Sequence, residues 1–78
     1  MIHKNVERIR EAKGVSKTHL AKKLGMSLQG YRHIESGSTR LDVERLKVIS
    51  IALGVEPGVF YDTKLTESVI KQLSINTA

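Results

Sequence analysis

The side chains best suited to recognition chemistry lie in one short stretch, S-L-Q-G-Y-R-H-I-E-S-G, from Ser27 to Gly37. Helical spacing of about 100° per residue places four polar side chains on one side of this stretch. They are Gln29, Arg32, His33 and Ser36. Amide, guanidinium, imidazole and hydroxyl groups can make directed hydrogen bonds, but a polar helix face is more often simply solvated. The row therefore indicates either a binding surface or a solvated one, and the elements around it must decide between them.

Catalytic chemistry is not indicated anywhere in the chain. There is no cysteine, and the three histidines, His3, His19 and His33, lack the spacing of metal ligands. The 78 residues correspond to one domain, which is too small to bury a substrate cavity between domains. No nucleophile is accompanied by a plausible base. We therefore expect no enzymatic activity, no metal and no other cofactor.

Charge is distributed unevenly along the chain. It holds 13 basic and 8 acidic side chains, a net charge of +5. Residues 1–40 carry nine Lys or Arg and three Glu, a net of +6, whereas residues 41–78 carry four basic and five acidic side chains, a net of −1. This asymmetry indicates one side that faces a polyanion and another that packs or binds a partner, although a basic surface can also serve solubility alone. The charged N-terminus and the lack of a long apolar run predict a cytoplasmic protein.

Glycines and capping residues divide the chain into helices. Ser16, Ser27 and Asp42 stand where N-cap residues belong, and glycines follow the apolar-periodic segments as C-terminal caps do. The spacing predicts helices over residues 3–13, 17–24, 28–36 and 43–53, a short fifth turn from Glu56-Pro57, and a tail helix over residues 65–73 with Leu65, Val69 and Leu73 as its apolar stripe. No segment alternates with period two. We therefore predict an all-α protein, with a domain over residues 1–62 and a tail over residues 63–78.

Two of these helices are joined by a very short turn. Only Gly25, Met26 and Ser27 separate them, so the helices must cross steeply, with the small Ala21 at the crossing and the glycine at the corner. The spacing G-V-S-x-x-x-L-A-x-x-L-G-M-S-x-x-x-Y-x-x-I-E-x-G, followed by L-x-x-I-x-x-A-L-G-V, resembles the Cro and lambda-repressor-like helix-turn-helix family, also called the Xre family. The resemblance runs from about Val6 to Phe60. It implies a compact five-helix DNA-binding domain, here followed by a short C-terminal tail helix.

The resemblance assigns expected roles to the polar row. In this family the second helix of the motif enters the major groove, where the residues near its start meet base edges. The expected base-contacting residues are Leu28, Gln29, Arg32 and His33. The residues expected to contact phosphates are Lys17, Thr18, Ser27, Ser36, Thr39 and Arg40. Gly30 lies at the boundary between the row and the core face, and we expect its missing side chain to let the helix approach the DNA backbone closely.

A carboxylate inside the motif has a structural role in the same resemblance. Glu35 belongs to the I-E-x-G signature, and relatives pair it with an arginine of the first helix. Arg10 occupies the matching position in this sequence. We therefore expect an internal ion pair between Arg10 and Glu35 that braces two helices, rather than a catalytic acid.

The fourth helix carries a second apolar line beyond the one that its core face requires. The resemblance implies that this surface forms a homodimer, which would carry two recognition helices to successive major grooves. The residues expected at the dimer interface are Val48, Ile51, Val55 and Val59. The tail helix would either strengthen the dimer or fold back on its own core.

Two functions remain open from the sequence. The first is a homodimeric, sequence-specific regulator of transcription that binds double-stranded DNA, most simply a repressor of a palindromic operator, without a cofactor. The second is an antitoxin or another partner-binding module, which binds a protein through its tail and DNA for autoregulation. The presence of a small toxin gene beside this one would favour the second function.

Overall fold

A computed structural model describes residues 1–76 of the chain, and the side chains of residues 1–73. Over this range the chain forms five α-helices and one 3-10 helix. They are α1 (Ile2–Ala12), α2 (Lys17–Leu24), α3 (Leu28–Glu35), α4 (Val43–Leu53), the 3-10 helix (Pro57–Tyr61) and α5 (Thr63–Asn76). The described residues contain no strand, so the predicted all-α class is confirmed. The last two residues of the predicted tail, 77 and 78, lie outside the described range. No helix of residues 1–76 combines the length and apolar character needed to cross a membrane.

Local capping explains where α2, α3 and α4 begin. The side chains of Ser16, Ser27 and Asp42 accept the backbone N–H of the residue three positions later, at 3.0, 3.0 and 2.8 Å. Each bond satisfies one of the amide groups that have no partner in the first turn of a helix. Gly25 and Gly54 end α2 and α4 at φ of 67° and 69°, a left-handed conformation that disfavours side chains. The predicted starts of the three helices and the predicted ends of α2 and α4 are therefore confirmed, whereas α3 ends one residue earlier than predicted, at Glu35.

The apolar stripes of all the helices meet in one core. The buried apolar side chains of the longer helices recur with the helical period. The core residues are Val6, Ile9, Leu20, Ala21, Tyr31, Ile34, Leu46, Ile49, Leu53 and Phe60. Leu24 and Val59 pack against this core but are only partly buried. Because short helices are marginal in water when isolated, this shared core is what holds α2 and α3 in a fixed relation.

The tail helix differs from its prediction in length and in orientation. It begins at Thr63 rather than at residue 65, because the Asp62 carboxylate accepts the N–H of Lys64 at 2.8 Å and caps the first turn. The predicted stripe is wrong at Leu65, whose side chain is 48% exposed. Thr66 is buried in its place and donates a 2.8 Å hydrogen bond to the carbonyl of Val59.

The tail helix folds back on its own chain. It packs on α1 and on the 3-10 helix, and makes no comparable contact with α4. Val69 and Ile70 cover part of the core from this side. A second buried hydrogen bond joins α1 to the 3-10 helix, since the Asn5 side chain donates to the carbonyl of Phe60 at 2.9 Å. The apolar surface of α4 is therefore left without a cover from residues 1–73, whose side chains the structure describes.

Candidate nucleic-acid interface

The α3 helix separates its buried and exposed sides as the spacing predicts. Tyr31 and Ile34 are fully buried. On the opposite side Gln29, Arg32 and His33 are exposed, and Leu28 at the first position is half-buried. The Ser27 cap and the short α2–α3 turn hold this side outward, so its polar groups are available to a partner.

The exposed row is divided into two parts. One part consists of Gln29 and His33, which lie one helical turn apart with their Nε2 atoms 3.5 Å from each other. The other is Arg32, which lines a hollow together with Lys17 of α2 and Ser36 at the end of α3. The structure therefore brings Arg32 together with a predicted phosphate-contacting lysine, in a hollow that Gln29 and His33 do not line.

The other predicted phosphate-contacting residues lie in α2, in the turn before α3 and in the segment after it. Thr18, Ser27 and Arg40 are exposed, and Thr39 is half-buried in the loop before α4. The Ser27 oxygen accepts the N–H of Gly30, which leaves its own proton free to donate. The Ser36 hydroxyl donates to the carbonyl of His33 at 3.1 Å, so its proton is used at the end of α3. Ser36 could therefore donate to a phosphate only by giving up that bond.

Two residues that sequence analysis missed lie beside this surface. His3 and Lys4, from the first turn of α1, line the hollow that also contains Lys17 and Arg32. His3 additionally lines a second hollow beside the loop that carries Thr39 and Arg40. No local signal points to these residues, because their position depends on how α1 packs against the end of α3.

The carboxylate of Glu35 is held inside the domain by three groups. Arg10 Nε lies 2.6 Å from Oε2 and Nη2 lies 3.2 Å from Oε1, and the Tyr31 hydroxyl donates to Oε2. The remaining guanidinium nitrogen of Arg10, Nη1, donates to the carbonyl of Val15 at 2.9 Å. Among the described residues no buried side-chain polar atom lacks a hydrogen-bond partner. Glu35 is 5% exposed, so its position suits a brace between α1 and α3.

Burial and pairing together shift the ionisation of this cluster. Burial disfavours the charge of Arg10, but the hydrogen bond and the charge of Glu35 outweigh it, and the pKa of Arg10 is raised. Burial also raises the pKa of Tyr31, and the bond that its hydroxyl donates to Glu35 raises it further. The phenol therefore stays protonated as the donor, and Glu35 accepts from both partners.

Comparison with known proteins gives a family for this arrangement. A family model described as helix-turn-helix matches residues 6–60, which is well over half of the chain. The chain belongs to this Xre-like helix-turn-helix family. The uncharacterized HTH-type transcriptional regulator y4wC of Sinorhizobium fredii (strain NBRC 101917 / NGR234) is 32% identical over 66 residues, which are 85% of this chain and 46% of that relative. The chain thus spans less than half of the relative's length. No solved structure is significantly similar to it.

Gly30 of the helix-turn-helix motif lies against the turn that precedes α3. A Cβ atom at this position would lie 3.0 Å from the terminal methyl of Met26 and 3.3 Å from the Ser27 hydroxyl. Both neighbours belong to the α2–α3 turn. The missing side chain therefore makes room for the packing of the turn and for the cap of α3.

Two of the residues predicted at a dimer interface, Val48 and Ile51, are exposed on α4 of this helix-turn-helix domain. Ile51 is 73% exposed and Val48 is 36% exposed, and with His19 and Lys23 of α2 they line a shallow depression. Val55 and Val59, the other two residues predicted at a dimer interface, are partly buried against the domain's own core. A partner on this side would therefore meet Val48 and Ile51 first.

The raised pKa of Tyr31 predicts a loss of stability in alkali. Above its ordinary pKa of 10.0, the unfolded chain releases the phenol proton while the folded chain retains it. The unfolded state then binds fewer protons, so the free energy of unfolding falls as pH rises, by up to about 1.4 kcal/mol per pH unit. Urea unfolding from about pH 9 to about pH 11 should show this additional fall in the wild type but not in Tyr31→Phe. Parallel pH curves for the two proteins would contradict it.

Proposed function

We propose that this protein is a sequence-specific regulator of transcription that binds double-stranded DNA as a homodimer and represses from a palindromic operator, without a cofactor. The observation that carries the proposal is the exposed side of α3. Its polar side chains face outward from the second helix of a helix-turn-helix, opposite a fully buried face. In such a motif this side is the one that enters the major groove.

The geometry supports a division of labour across that side. Gln29 presents an amide that can pair with both hydrogen-bonding groups of adenine, and Leu28 can pack on a thymine methyl. His33 lies beside Gln29 and donates to a base acceptor. Arg32, placed next to Lys17, reaches a guanine or a phosphate at the edge of the reading surface.

Phosphate contacts surround these base contacts in the proposal. The residues that make them are Lys17, Thr18, Ser27, Ser36, Thr39 and Arg40. Most are exposed around the two ends of α3 and the loop that follows it. Contacts of this kind set the register and the affinity of the complex, and base contacts set its sequence preference.

The exposed apolar surface of α4 supports the homodimer. An isoleucine that is 73% exposed beside a valine that is 36% exposed is the kind of apolar surface that a partner covers. The chain's own tail helix packs elsewhere, on α1 and the 3-10 helix. We propose an interface between two copies formed by Val48, Ile51, Val55 and Val59, with Val48 and Ile51 at its centre.

The similarity to y4wC supports regulation of transcription, since that relative is named as an HTH-type transcriptional regulator. An antitoxin-like module that binds a protein through its tail is less well supported. In the tail helix α5, the side chains of Thr66, Val69 and Ile70 already pack against the domain. A partner that used them would first have to detach α5.

Selection of bound sites from a random pool of duplex DNA tests the proposal most directly. We expect enrichment of a short half-site repeated with two-fold symmetry, with centres about one helical turn of DNA apart. Binding should also weaken steeply as salt rises, because phosphate contacts release counterions. No enrichment and no binding at low salt would reject DNA binding, and an enriched single half-site would reject the homodimer.

Separate substitutions should distinguish base contacts from phosphate contacts. Gln29→Ala should lose about 1 to 3 kcal/mol of discrimination at one position of each half-site. Lys17→Ala should weaken binding to all sequences alike and lower the salt dependence of log K by about one unit per subunit. Fluorescence anisotropy titrations against the selected site and its single-base variants measure both effects. Equal losses from the two variants on every sequence would contradict this division of roles.

A further inference from the structure

The first turn of α1 packs against the loop that follows α3. The contact is between His3 and Gly37. Gly37 has a φ of 83°, and a Cβ atom there would lie 2.9 Å from both Cε1 and Nε2 of the His3 ring. The absence of a side chain therefore leaves the space that the imidazole ring fills. This contact keeps the residues next to His3 beside the end of α3.

Lys4 follows His3 and faces the proposed DNA-binding surface. It lines a hollow of about 410 Å³ together with Lys17 of α2 and Arg32 of α3. Three cationic side chains from three helices therefore meet at one place. Such a convergence favours an anion of compact shape, because each cation approaches it from a different direction.

Two carboxylates also line this hollow, but neither opposes an anion strongly. Glu35 is buried and bound to Arg10, so its charge is already compensated. Glu7 contacts Lys4 at 3.4 Å, and the Lys4 side chain is 66% exposed in that pair. An exposed ion pair of this kind contributes little to stability. Lys4 can therefore leave Glu7 for a phosphate without disturbing the fold.

We infer that this hollow binds one phosphate of the DNA backbone and that Lys4 completes its binding site with Lys17 and Arg32. The inference rests on the proposed DNA-binding function and extends the DNA interface from the helix-turn-helix to the first turn of α1. A phosphate contact carries no sequence information by itself. Lys4 therefore strengthens binding to every duplex and leaves the sequence preference unchanged.

The test compares two lysine-to-alanine variants by their salt dependence. In anisotropy titrations of the full chain with its selected DNA site, Lys4→Ala should lower the slope of log K against log salt by about 0.9 per bound subunit. Between 50 and 200 mM salt, the fold-loss of affinity should therefore be larger for the wild type than for the variant, by a factor of about 3.5 per subunit. Lys71→Ala is the matched control. It removes the same charge from exposed α5, which packs on α1 and the 3-10 helix and not on α2 or α3.

A second variant changes the same site in the opposite direction. Glu7→Gln removes the carboxylate that competes for Lys4, so it should tighten binding to all duplexes. Circular dichroism should show unchanged helix content in all three variants, because the substituted side chains lie outside the core.

The outcomes distinguish failure of the proposed phosphate site from failure of the proposed DNA binding. If Lys4→Ala shows the same steep slope of log K against log salt as the wild type and Lys71→Ala, the phosphate site is wrong and DNA binding stands. If the loss in Lys4→Ala is confined to one base position, Lys4 contacts a base and the phosphate assignment is overturned. If the wild type shows no salt-dependent binding to any duplex, the hollow and the proposed function both fail.

Discussion

Replacing Arg10 by alanine should lower the free energy of unfolding by about 3 to 5 kcal/mol, because Glu35 is then left as a buried charge without its partner. Glu35 is 5% exposed and would keep only the hydrogen bond from Tyr31. The loss also includes the bond from Arg10 to the carbonyl of Val15. For a chain of this size, total stability is about 4 to 12 kcal/mol, so the loss is a large fraction of the total. Urea and thermal unfolding followed by circular dichroism measure the change.

The chain offers a matched control for this effect. Arg8 forms an ion pair with Glu67 whose side chains are 35% and 53% exposed, so Arg8→Ala should cost no more than about 1 kcal/mol. The double variant Arg10→Met/Glu35→Leu should be more stable than Arg10→Ala, because it leaves no charge stranded in the core. If Arg10→Ala cost no more than Arg8→Ala, the ion pair would not brace the domain.

Ile51→Glu should convert the proposed homodimer into a monomer and reduce affinity for a two-fold symmetric site by about 10²- to 10⁴-fold, because the second half-site is no longer bound through a linked subunit. Ile51 is 73% exposed in the isolated chain, so a glutamate is tolerated by the fold. In the dimer its charge would be desolvated between two apolar surfaces, which is strongly unfavourable. Sedimentation equilibrium measures the mass, and anisotropy titration measures the affinity.

A second exposed apolar residue provides the control for the interface. Leu65 is 48% exposed on α5, a helix that does not pack on α4. Leu65→Glu should therefore keep the mass and the DNA affinity of the wild type. If Leu65→Glu were monomeric and Ile51→Glu dimeric, the interface would lie on the tail helix. If neither variant changed the mass of a dimeric wild type, neither surface would form the interface.

The start and end signals of α2, α3 and α4 could be predicted because their causes lie within a few residues. A serine or aspartate accepts an amide three positions later in each of these helices. The core residues could be predicted for a related reason, since each stripe repeats with the period of the helix on which it lies. The tail helix is the exception. Its predicted apolar stripe included Leu65, which is exposed. The carbonyl of Val59 accepts a hydrogen bond from the Thr66 hydroxyl, and this bond sets which side of α5 faces the core.

The candidate site shows the same division. The members of the exposed row on α3 follow from periodicity once the short turn identifies the motif. Their arrangement does not follow, because Arg32 lies with Lys17 in one hollow while Gln29 lies against His33. The position of Gly30 beside Met26 also depends on packing within the turn. Distances between side chains of different elements are set by how those elements cross, which one-dimensional spacing does not specify.

Caps, apolar periods and turn length act through neighbours in the chain, so they were sufficient to predict α1 to α4, the core and the polar row of α3. Tertiary packing is responsible for three further features. It bound Glu35 to Arg10 and Tyr31 at their observed distances, turned α5 onto α1 so that Ile51 stays exposed, and brought Lys4 beside Lys17 and Arg32. Each of these joins residues that are distant in sequence. Their contacts depend on the packing angles between helices, and those angles exist only once the shared core has formed.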